Sequence, residues 1–299
     1  MNGWINLYKP SGYSSTFCLN LIKKKFKLEK IGHLGTLDPM AEGVLPVAIN
    51  EATKTINYIN HSKKKYLFEV HWGVETDTLD SEGKVIKTTS NVPGKKEVIN
   101  ILHLFKGVIE QEPPKYSAKK INGRRAYDLA RKGEAFSLKK VKKNIFNIRL
   151  INHDQTNKKS SFVVICEAGT YVRSLARDIG KELNSICYCT KILRLSDGFF
   201  KKRASFSFEK LINLKQLSDL DKYILDIQSV LYHIPTIKIN DKKLKLIKNG
   251  MKVSMLDEVG TKEYQEILAE YNHTIAALGT MREGIFYPKK VLNILWKKI

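Results

Sequence analysis

The sequence lacks the patterns that mark several common classes of protein. Its four cysteines form no C-x-x-C pair, so neither a zinc site nor a disulfide framework is expected. No apolar run approaches the roughly 20 residues that span a bilayer. The first residues, MNGWINLYKP, lack the apolar stretch of a signal peptide. These absences predict a soluble, cytoplasmic protein.

Motifs for several catalytic classes are also missing. The sequence contains no Walker loop, no G-x-G-x-x-G and no G-x-S-x-G. These motifs carry phosphate binding, dinucleotide binding and the serine nucleophile of α/β-hydrolases. Their absence argues against all three kinds of site.

Acidic residues are scarce relative to basic ones. Asp and Glu number 30 against 52 Lys and Arg, and the formal net charge is +22. Such an excess favours a polyanionic partner, above all a nucleic acid. Basic clusters at residues 63–65, 119–125, 139–143 and 201–203 are dispersed, as expected for a broad surface that contacts phosphates. Drift in an AT-rich genome, which enriches Lys, Asn and Ile together, is the alternative explanation.

Strand-like and helix-like segments alternate along the first 230 residues. Residues rich in β-branched and aromatic side chains predict strands at 4–8, 66–72, 85–88, 144–150 and 162–166. Helices are predicted at 96–105, 126–131 and 170–183, the last with Val172, Leu175, Ile179 and Leu183 at helical spacing and Thr170 as its cap. Without regular βαβ units, this order predicts an α+β fold with a mixed, mainly antiparallel sheet flanked by helices.

The sequence pattern changes around residues 226–235, after which short strand-like segments predominate. The following segment predicts a strand, a short helix and an Asn249-Gly250 turn into another strand. Two further strands are predicted near residues 263–271 and 274–279. We therefore expect one domain over residues 1–230 and a small β-barrel-like module over residues 236–299.

The passage KIGHLGTLDPMAEGVLP, residues 30–46, follows neither a helical nor a strand period. One interpretation is a one-turn helix with Asp38 at the N-cap, Pro39 at the first helical position and Gly43 at the end. The other is a shaped loop that presents Asp38 to a substrate. A lone carboxylate does not suit glycoside hydrolysis, which uses a facing pair. It suits a nucleophile or base that is tuned by a nearby cation.

The neighbours of Asp38 in this passage support the shaped loop. Gly32 and Gly35 allow backbone conformations or close approaches that a Cβ would forbid. These two glycines, with His33 and Thr36, would then surround the reacting group.

Three other positions carry competing interpretations. Arg173, in the first turn of the helix at 170–183, is either the cation that pairs with Asp38 or an ordinary solvated arginine. Tyr66 follows three lysines and either stacks on a base or packs in the core. Asp77 and Asp80 lie in a turn-like stretch without a third oxygen donor at metal-binding spacing, and we interpret them as turn-formers.

Four blocks together resemble one family. GHLGTLDPMAEGVLPVAINEATK, KKYLFEVHWGVETDTLDSEG, PPKYSAKKINGRRAYDLAR and GTYVRSLARDIG resemble, in order, the signature blocks of the TruB family of bacterial tRNA pseudouridine-55 synthases. The opening GWINLYKPSGYSS resembles the KP-x-G segment of that family, and the tail more weakly resembles its PUA-type RNA-binding domain. Asn50 stands where the family usually has glycine, which Asn replaces well because it also reaches positive φ.

The resemblance implies a role for each matching residue. Asp38 would be the catalytic aspartate, Arg173 its partner, and His33 a contact to the RNA. Tyr66 would stack on the target base, and Tyr171 and Ile192 would line its pocket. Lys9, Pro10, Gly32, Gly35 and Thr36 would support the catalytic loop. Residues 113–133, which include Lys119, Arg124 and Arg125, would form the loop that clamps the T-loop of the tRNA.

The implied reaction converts a flipped-out uridine, at position 55 of tRNA, to pseudouridine. The N1–C1′ bond is broken and a C5–C1′ bond is made, an isomerisation for which no cofactor or metal is expected. A non-catalytic RNA-binding or RNA-folding protein, or a pseudouridine synthase acting on another RNA, are the open alternatives. The combination of Asp38, Tyr66 and Arg173 favours an enzyme, since folding assistance alone has no need of the aspartate.

Overall fold

A computed structural model of the protein describes residues 1–59, 63–121 and 123–294. Residue 122 of the predicted RNA-clamping loop and residues 295–299 of the predicted C-terminal module lie outside the described residues. The strands over the described residues are β1 (Gly3–Lys9), β2 (Ile31–His33), β3 (Glu42–Ile49), β4 (Lys64–Trp72), β5 (Val74–Thr76), β6 (Val85–Thr88), β7 (Gly107–Gln111), β8 (Lys120–Ile121), β9 (Arg124–Arg125), β10 (Val141–Asp154), β11 (Lys159–Cys166), β12 (Cys187–Asp197), β13 (Phe200–Lys201), β14 (Phe206–Ser207), β15 (Ile224–Leu225), β16 (Thr236–Lys238), β17 (Val253–Ser254), β18 (Tyr264–Tyr271), β19 (Thr274–Arg282) and β20 (Ile285–Val291).

Helices account for most of the remaining regular structure. The α-helices are α1 (Ser15–Lys25), α2 (Lys95–Ile101), α3 (Ala126–Arg131), α4 (Val172–Glu182), α5 (Phe208–Ile212), α6 (Leu217–Asp221), α7 (Ile227–Val230), α8 (Asp241–Lys248) and α9 (Leu256–Val259). Short 3₁₀ helices cover Asn50–Tyr58, Leu102–Phe105 and Lys202–Ala204. Over the described ranges, no helix is both long and apolar enough to cross a membrane.

The main sheet is mixed and mainly antiparallel, as the sequence predicts. Its strand order is β14-β1-β3-β12-β4-β11-β10-β7, with β2, β13 and β15 attached at its sides. Only two of its described pairings, β1 with β14 and β3 with β12, are parallel. Buried residues of α1 and α4, such as Ile22 and Leu175, pack with the sheet in one large hydrophobic cluster. The predicted α+β class is therefore confirmed.

The C-terminal segment forms a second sheet of five strands, in the order β16-β18-β19-β20-β17. This sheet shares a hydrophobic cluster with the main one, in which Trp4 and Val44 pack with Leu268, Ile275 and Leu278. Because this cluster draws on both sheets, the two parts of the chain are packed together along a common apolar surface.

Most predicted elements are present, with instructive differences at their ends. The helix predicted at 170–183 is α4, and Leu175 and Ile179 are buried. Thr170 does not cap this helix, because its Oγ1 donates to the Glu167 carbonyl at 2.8 Å and Tyr171 occupies the N-cap position. Asn50 adopts φ of +50°, as expected for a residue that replaces glycine.

The Asn249-Gly250 pair lies, as predicted, in a turn between a short helix and the next strand. Gly250, with φ of +73°, donates its N–H to the Ile247 carbonyl at the end of α8, as is usual for a glycine C-cap. The following strand, β17, pairs with β20.

Two central strands of the main sheet, β3 and β12, are absent from the sequence-based predictions. In β3, Pro46 cannot donate to a ladder and argues against a sheet interior.

Candidate active site

Asp38 lies in a loop, so of the two interpretations of this segment the one-turn helix is wrong. The segment after it forms a single turn in which the Ala41 N–H donates to the Asp38 carbonyl at 3.1 Å. Asp at the first position and Pro39 at the second are favoured in such turns. Gly43 lies in β3 with φ of +108° and approaches the backbone of Arg194 so closely that a Cβ would lie 2.4 Å from its carbonyl oxygen. The turn uses the backbone carbonyl of Asp38, so its side chain does not cap a helix.

Two serines fix the loop on either side of Asp38. Ser15 Oγ accepts from the Leu37 N–H and donates to the Leu37 carbonyl, both at 2.9 Å. Ser11 Oγ donates to the Met40 carbonyl at 2.9 Å. Because both serines belong to the segment around the start of α1, that segment determines where the carboxylate of Asp38 stands.

Lys9 ties the same two segments together from the interior. Its ammonium is fully buried and donates to the carbonyls of Pro10 at 2.8 Å, Tyr13 at 2.6 Å and Pro39 at 3.2 Å. Burial lowers the pKa of Lys9 to about 8. Three carbonyl acceptors are thereby held around a single donor, directly behind Asp38.

Arg173 binds Asp38 through an ion pair. Its Nη2 lies 2.8 Å from Asp38 Oδ2, and its Nη1 lies 3.1 Å from Asp80 Oδ2. The guanidinium also donates to the carbonyls of Thr78 at 2.9 Å and Tyr116 at 3.0 Å. Arg173 is only 4% exposed, so the alternative of a solvated helix arginine is wrong.

The position of Arg173 on its helix explains why two carboxylates surround it. A cation in the first turn of a helix faces the positive end of the helix dipole, and α4 has no acidic residue in that turn. Burial adds a desolvation cost that requires compensation. Asp38 and Asp80 supply it from two different loops.

The Asp38 carboxylate is both paired with a cation and largely desolvated by the surrounding protein. The pKa of its carboxyl is raised above the usual value, first by desolvation and also by the nearby charge of Asp80, whereas Arg173 opposes the rise. About a third of the side chain, 38%, remains accessible. The Asp38 carboxylate is therefore partly accessible to a ligand and has an increased basicity, as a general base or nucleophile requires.

Tyr66 and Ile192 lie on adjacent strands beside this loop. Tyr66 on β4 pairs with Arg194 on β12, and Ile192 pairs with Phe68. Both Tyr66 and Ile192 are buried in the main cluster. Burial raises the pKa of the Tyr66 hydroxyl, so it stays neutral near pH 7.

A buried charge cluster underlies Gly35. Lys64 Nζ lies 2.8 Å from Asp197 Oδ2, and Arg194 Nη1 lies 3.6 Å from the same atom. Arg194 Nη2 donates to the Gly35 carbonyl at 3.0 Å. A Cβ on Gly35 would lie 2.2 Å from Lys64 Nζ, and Gly35 has φ of +69°. Glycine is therefore required there both by conformation and by space.

The other predicted site residues lie around the same loop. Burial, with Arg194 and Lys64 nearby, lowers the pKa of His33 on β2 to about 4, so its ring is neutral at pH 7. Gly32 adjoins Ile56, where a Cβ would approach Cδ1 to 2.8 Å. Thr36 is exposed.

Tyr171 is held at the N-cap of α4 by Gln111. The Gln111 side chain accepts from the Tyr171 N–H at 2.8 Å and donates to its carbonyl at 3.0 Å. The pKa of Tyr171 is raised, first by burial and also by the Asp38 charge. Tyr171 is partly exposed and directly precedes α4, which carries Arg173 in its first turn. In the described parts of the chain, no three His, Cys, Asp or Glu side chains are grouped to hold a metal ion.

Comparison of the sequence with known proteins points to one family. Residues 23–172 match the family model described as TruB family pseudouridylate synthase, N terminal domain. The chain is 36% identical over 296 residues to tRNA pseudouridine synthase B of Ehrlichia chaffeensis, covering 98% of this chain and 100% of that protein. It is 42% identical over 258 residues to the protein of the same name from Clostridium kluyveri, covering 86% of each.

The chain belongs to the TruB family. It is a pseudouridine synthase, and therefore an isomerase. Its fold is also similar to a chain in the crystal structure of a Cbf5-Nop10-Gar1 complex, with a TM-score of 0.70 and 25% identity, covering 97% of this chain and 84% of that one.

The basic segment at 113–133 is joined to the site of this pseudouridine synthase through Tyr116. The Tyr116 carbonyl accepts from Arg173, and the strands β8 and β9 form a short hairpin beyond it. Arg124 makes a two-pronged pair with Glu134, at 2.6 and 3.0 Å, on the exposed surface. Arg125 lies over the ring of Tyr127, and Lys119 donates to the Lys139 carbonyl at 3.2 Å.

Asp80 is the contact that the sequence interpretation missed. Its carboxylate does shape a turn, since Oδ1 accepts from Thr78 Oγ1 at 2.6 Å and from the Glu82 N–H at 3.1 Å. Its other oxygen pairs with Arg173. The turn-former interpretation is thus incomplete, and no spacing rule in the sequence connects Asp80 with a residue 93 positions later.

Proposed function

We propose that this pseudouridine synthase acts on tRNA, converting the uridine at position 55 of the T-loop, and that Asp38 is its catalytic residue. The observation that carries the proposal is the Asp38–Arg173 ion pair in a loop fixed on both sides. The relatives' name, tRNA pseudouridine synthase B, supports the class of RNA. The net charge of +22 supports a polyanionic substrate.

The chemistry needs one carboxylate and no second reactant. The glycosidic N1–C1′ bond breaks, the uracil turns within the site, and C5 bonds to C1′. C5 then loses its proton and N1, freed from the ribose, gains one, so the composition is unchanged. All atoms of the uridine are kept, so neither an oxidant nor water enters the product. Asp38, ionised and of increased basicity, acts as the nucleophile or base of this sequence. Arg173 keeps its charge in place.

The target base must leave the RNA stack to reach Asp38. Flipping costs a few kcal/mol, and stacking on an aromatic ring returns about 1–3 kcal/mol. We assign this stacking to Tyr66, with Tyr171 and Ile192 as further walls, His33 as an RNA contact, and Lys9 and Pro10 as the support of the loop. The segment at 113–133, with Lys119, Arg124 and Arg125, grips the RNA from outside. Residues 236–299 serve as an accessory, PUA-type RNA-binding module.

The test combines an unmodified tRNA transcript with the Asp38→Asn protein. Asn is compatible with the turn at this position, so the fold and tRNA affinity should be kept while pseudouridine formation falls by several powers of ten. Asp257→Asn, an exposed acid in α9, is the matched control and should retain full activity. Mapping the modified position identifies the target. Wild-type turnover by a folded Asp38→Asn protein would remove the catalytic assignment, and modification only of other RNAs would remove the tRNA assignment.

A further inference from the structure

Exposed aromatic side chains stand along the sheet edge that carries the Asp38 loop. Phe146 is 41% exposed, Phe199 39% and Tyr232 72%. This side of the sheet is formed by strand ends: β4 begins and β11 and β12 end there, since Lys64 pairs with both Cys166 and Asp197. β12 pairs there with the first residues of β3, directly after the Asp38 loop. Phe146 and Phe199 therefore lie at the same end of these strands as the Asp38 loop, and among the contacts of the described residues neither contacts Asp38 or Arg173.

Each of these rings is turned outward by rigid local structure. Phe146 is the extra residue of a β-bulge in β10, between the register pairs of Ile145 and Asn147, and a bulge redirects a side chain. Phe199 is the second residue of the two-residue turn between β12 and β13, after Gly198 with φ of +53°. Tyr232 lies between Leu231 and Ile234, which are both buried.

Two of the rings contact each other and the third is linked to them through Lys63. We call this surface the aromatic strip (Lys63, Phe146, Phe199, Lys201 and Tyr232). Lys63 Nζ lies 4.3 Å from the centroid of the Phe146 ring, and the Lys63 carbonyl accepts from the Gly198 N–H at 3.0 Å. The rings of Phe199 and Tyr232 are 6.0 Å apart. Lys201 Nζ donates to the Gly198 carbonyl. The strip thus runs from β10, past the β12–β13 turn, to the segment that precedes the C-terminal sheet.

The chemistry of the strip points to unpaired RNA. Single exposed apolar residues are ordinary, but three neighbouring exposed rings interleaved with lysines suit single-stranded nucleic acid, because the rings offer π-faces to bases and the lysines offer cations to phosphates. The segment GFFKKR at 198–203 contains three cations and no acid. A purely apolar partner would gain nothing from these charges.

We propose that the aromatic strip is a stacking platform for unpaired nucleotides of the substrate RNA outside the target nucleotide. The proposal rests on the proposed function in that the ligand is the RNA being modified. Phe199 and Tyr232 provide the stacking faces, and Lys63 and Lys201 neutralise phosphates of the same segment. The strip thereby raises affinity without taking part in bond making or breaking.

Affinity measurements on full-length protein with an unmodified tRNA transcript test the platform. Phe199→Leu and Tyr232→Ser each remove an aromatic face, and each should raise the Kd by about fivefold to 100-fold. The salt dependence of binding should stay the same, since no phosphate contact is removed. Phe199→Tyr and Tyr232→Phe keep the face and should bind like the wild type. At saturating RNA, the rate of pseudouridine formation should be unchanged in all four variants.

Val108→Ser is the matched control, because Val108 on β7 is 68% exposed but is not aromatic; it should leave the Kd unchanged. A wild-type Kd in the Phe199→Leu, Tyr232→Ser double variant would overturn the platform. A change only in the oligomeric state of that variant would also overturn it, showing a contact between copies of the chain. Failure of the wild type to form pseudouridine would instead refute the proposed function, while the Kd comparison would still judge the strip.

Discussion

The Asp80 carboxylate lies 3.1 Å from Nη1 of Arg173, the guanidinium nitrogen next to the one that Asp38 occupies. Asp80 is 3% exposed, so this pair is shielded from water. Asp38 is paired with Nη2, and Asp80 is paired with Nη1. Asp80 therefore helps to fix the orientation of the guanidinium relative to Asp38. Asp80 thus acts on Asp38 through the arginine.

Asp80→Asn should lower activity although neither Asp38 nor Arg173 is substituted. The amide accepts the turn hydrogen bonds but loses the charge that holds Arg173, so a shifted guanidinium should reduce the single-turnover rate by up to about 100-fold. Stability should fall by about 1–3 kcal/mol, as for a lost hydrogen bond to a charged group. Rapid-quench kinetics and urea unfolding measure the two effects. A full rate in Asp80→Asn would contradict the positioning role.

The pH profile should report on the same pair. Asp38 has a raised pKa, and the proposed mechanism requires its ionised form. The rate should therefore fall on acidification at a higher pH than an ordinary aspartate, whose pKa is about 3.9, would give. The negative charge of Asp80 contributes to the rise. Asp80→Asn should therefore shift the acid limb to lower pH. A limb that does not move would show that Asp80 does not influence the titration.

Lys9 should make stability depend on pH in the alkaline range. Its folded-state pKa, about 8, lies below the ordinary value of 10.5. The folded protein therefore releases this proton before the unfolded chain does, and the contribution to stability is complete above pH 10.5 and is lost as the pH falls through about 8. The free energy of unfolding should rise across this window by up to about 3 kcal/mol.

Lys9→Met provides the comparison. It should abolish the Lys9-dependent slope and loosen the Asp38 loop, because the carbonyls of Pro10, Tyr13 and Pro39 lose their shared donor. The unfolding free energies of both proteins, measured by denaturant titration from pH 7 to 10.5, give the difference. An equal slope in the two proteins would assign the dependence to other groups.

The basic segment should act on binding rather than on chemistry. If six or more phosphates are contacted, tRNA affinity should fall by about 1000-fold or more between about 50 and 200 mM salt. Changing Lys119, Arg124 and Arg125 together to Gln should weaken binding and flatten this salt dependence, with little effect on the single-turnover rate at saturating RNA. The matched control changes the exposed lysines 84, 87 and 96. Equal losses in both triple variants would show a diffuse charge effect.

The shared apolar cluster predicts how the two sheets unfold. Leu278 of β19 is 1% exposed and packs in the cluster that contains Trp4 and Val44. Leu278→Ala should cost about 2–5 kcal/mol and lower a single unfolding transition of the whole chain. Calorimetry distinguishes this from two transitions of which only one moves, which would show that residues 236–299 unfold by themselves.

The amino-acid sequence by itself determined local structure and the chemistry-bearing loop. Helical spacing of Val172, Leu175 and Ile179 is sufficient to predict α4, because burial of one face of a helix leaves a period in the sequence. The glycines around Asp38 likewise mark a constrained loop, because the φ of +69° at Gly35 is one that glycine adopts readily and other residues rarely do. These features depend on neighbours in the chain, so the pattern of residues contains them.

Tertiary structure alone decided which distant groups meet. Asp38 and Asp80 come from two loops and Arg173 comes from the first turn of α4. Asp80 resembles an ordinary turn aspartate until the fold brings it to the guanidinium. The sequence alone left two interpretations of the Asp38 segment, a one-turn helix and a loop. The segment forms a turn in a loop, whose backbone Ser11, Ser15 and Lys9 bind from another part of the chain. Long-range hydrogen bonds and the compensation of a buried charge select these partners, and neither leaves a periodic signal in the sequence.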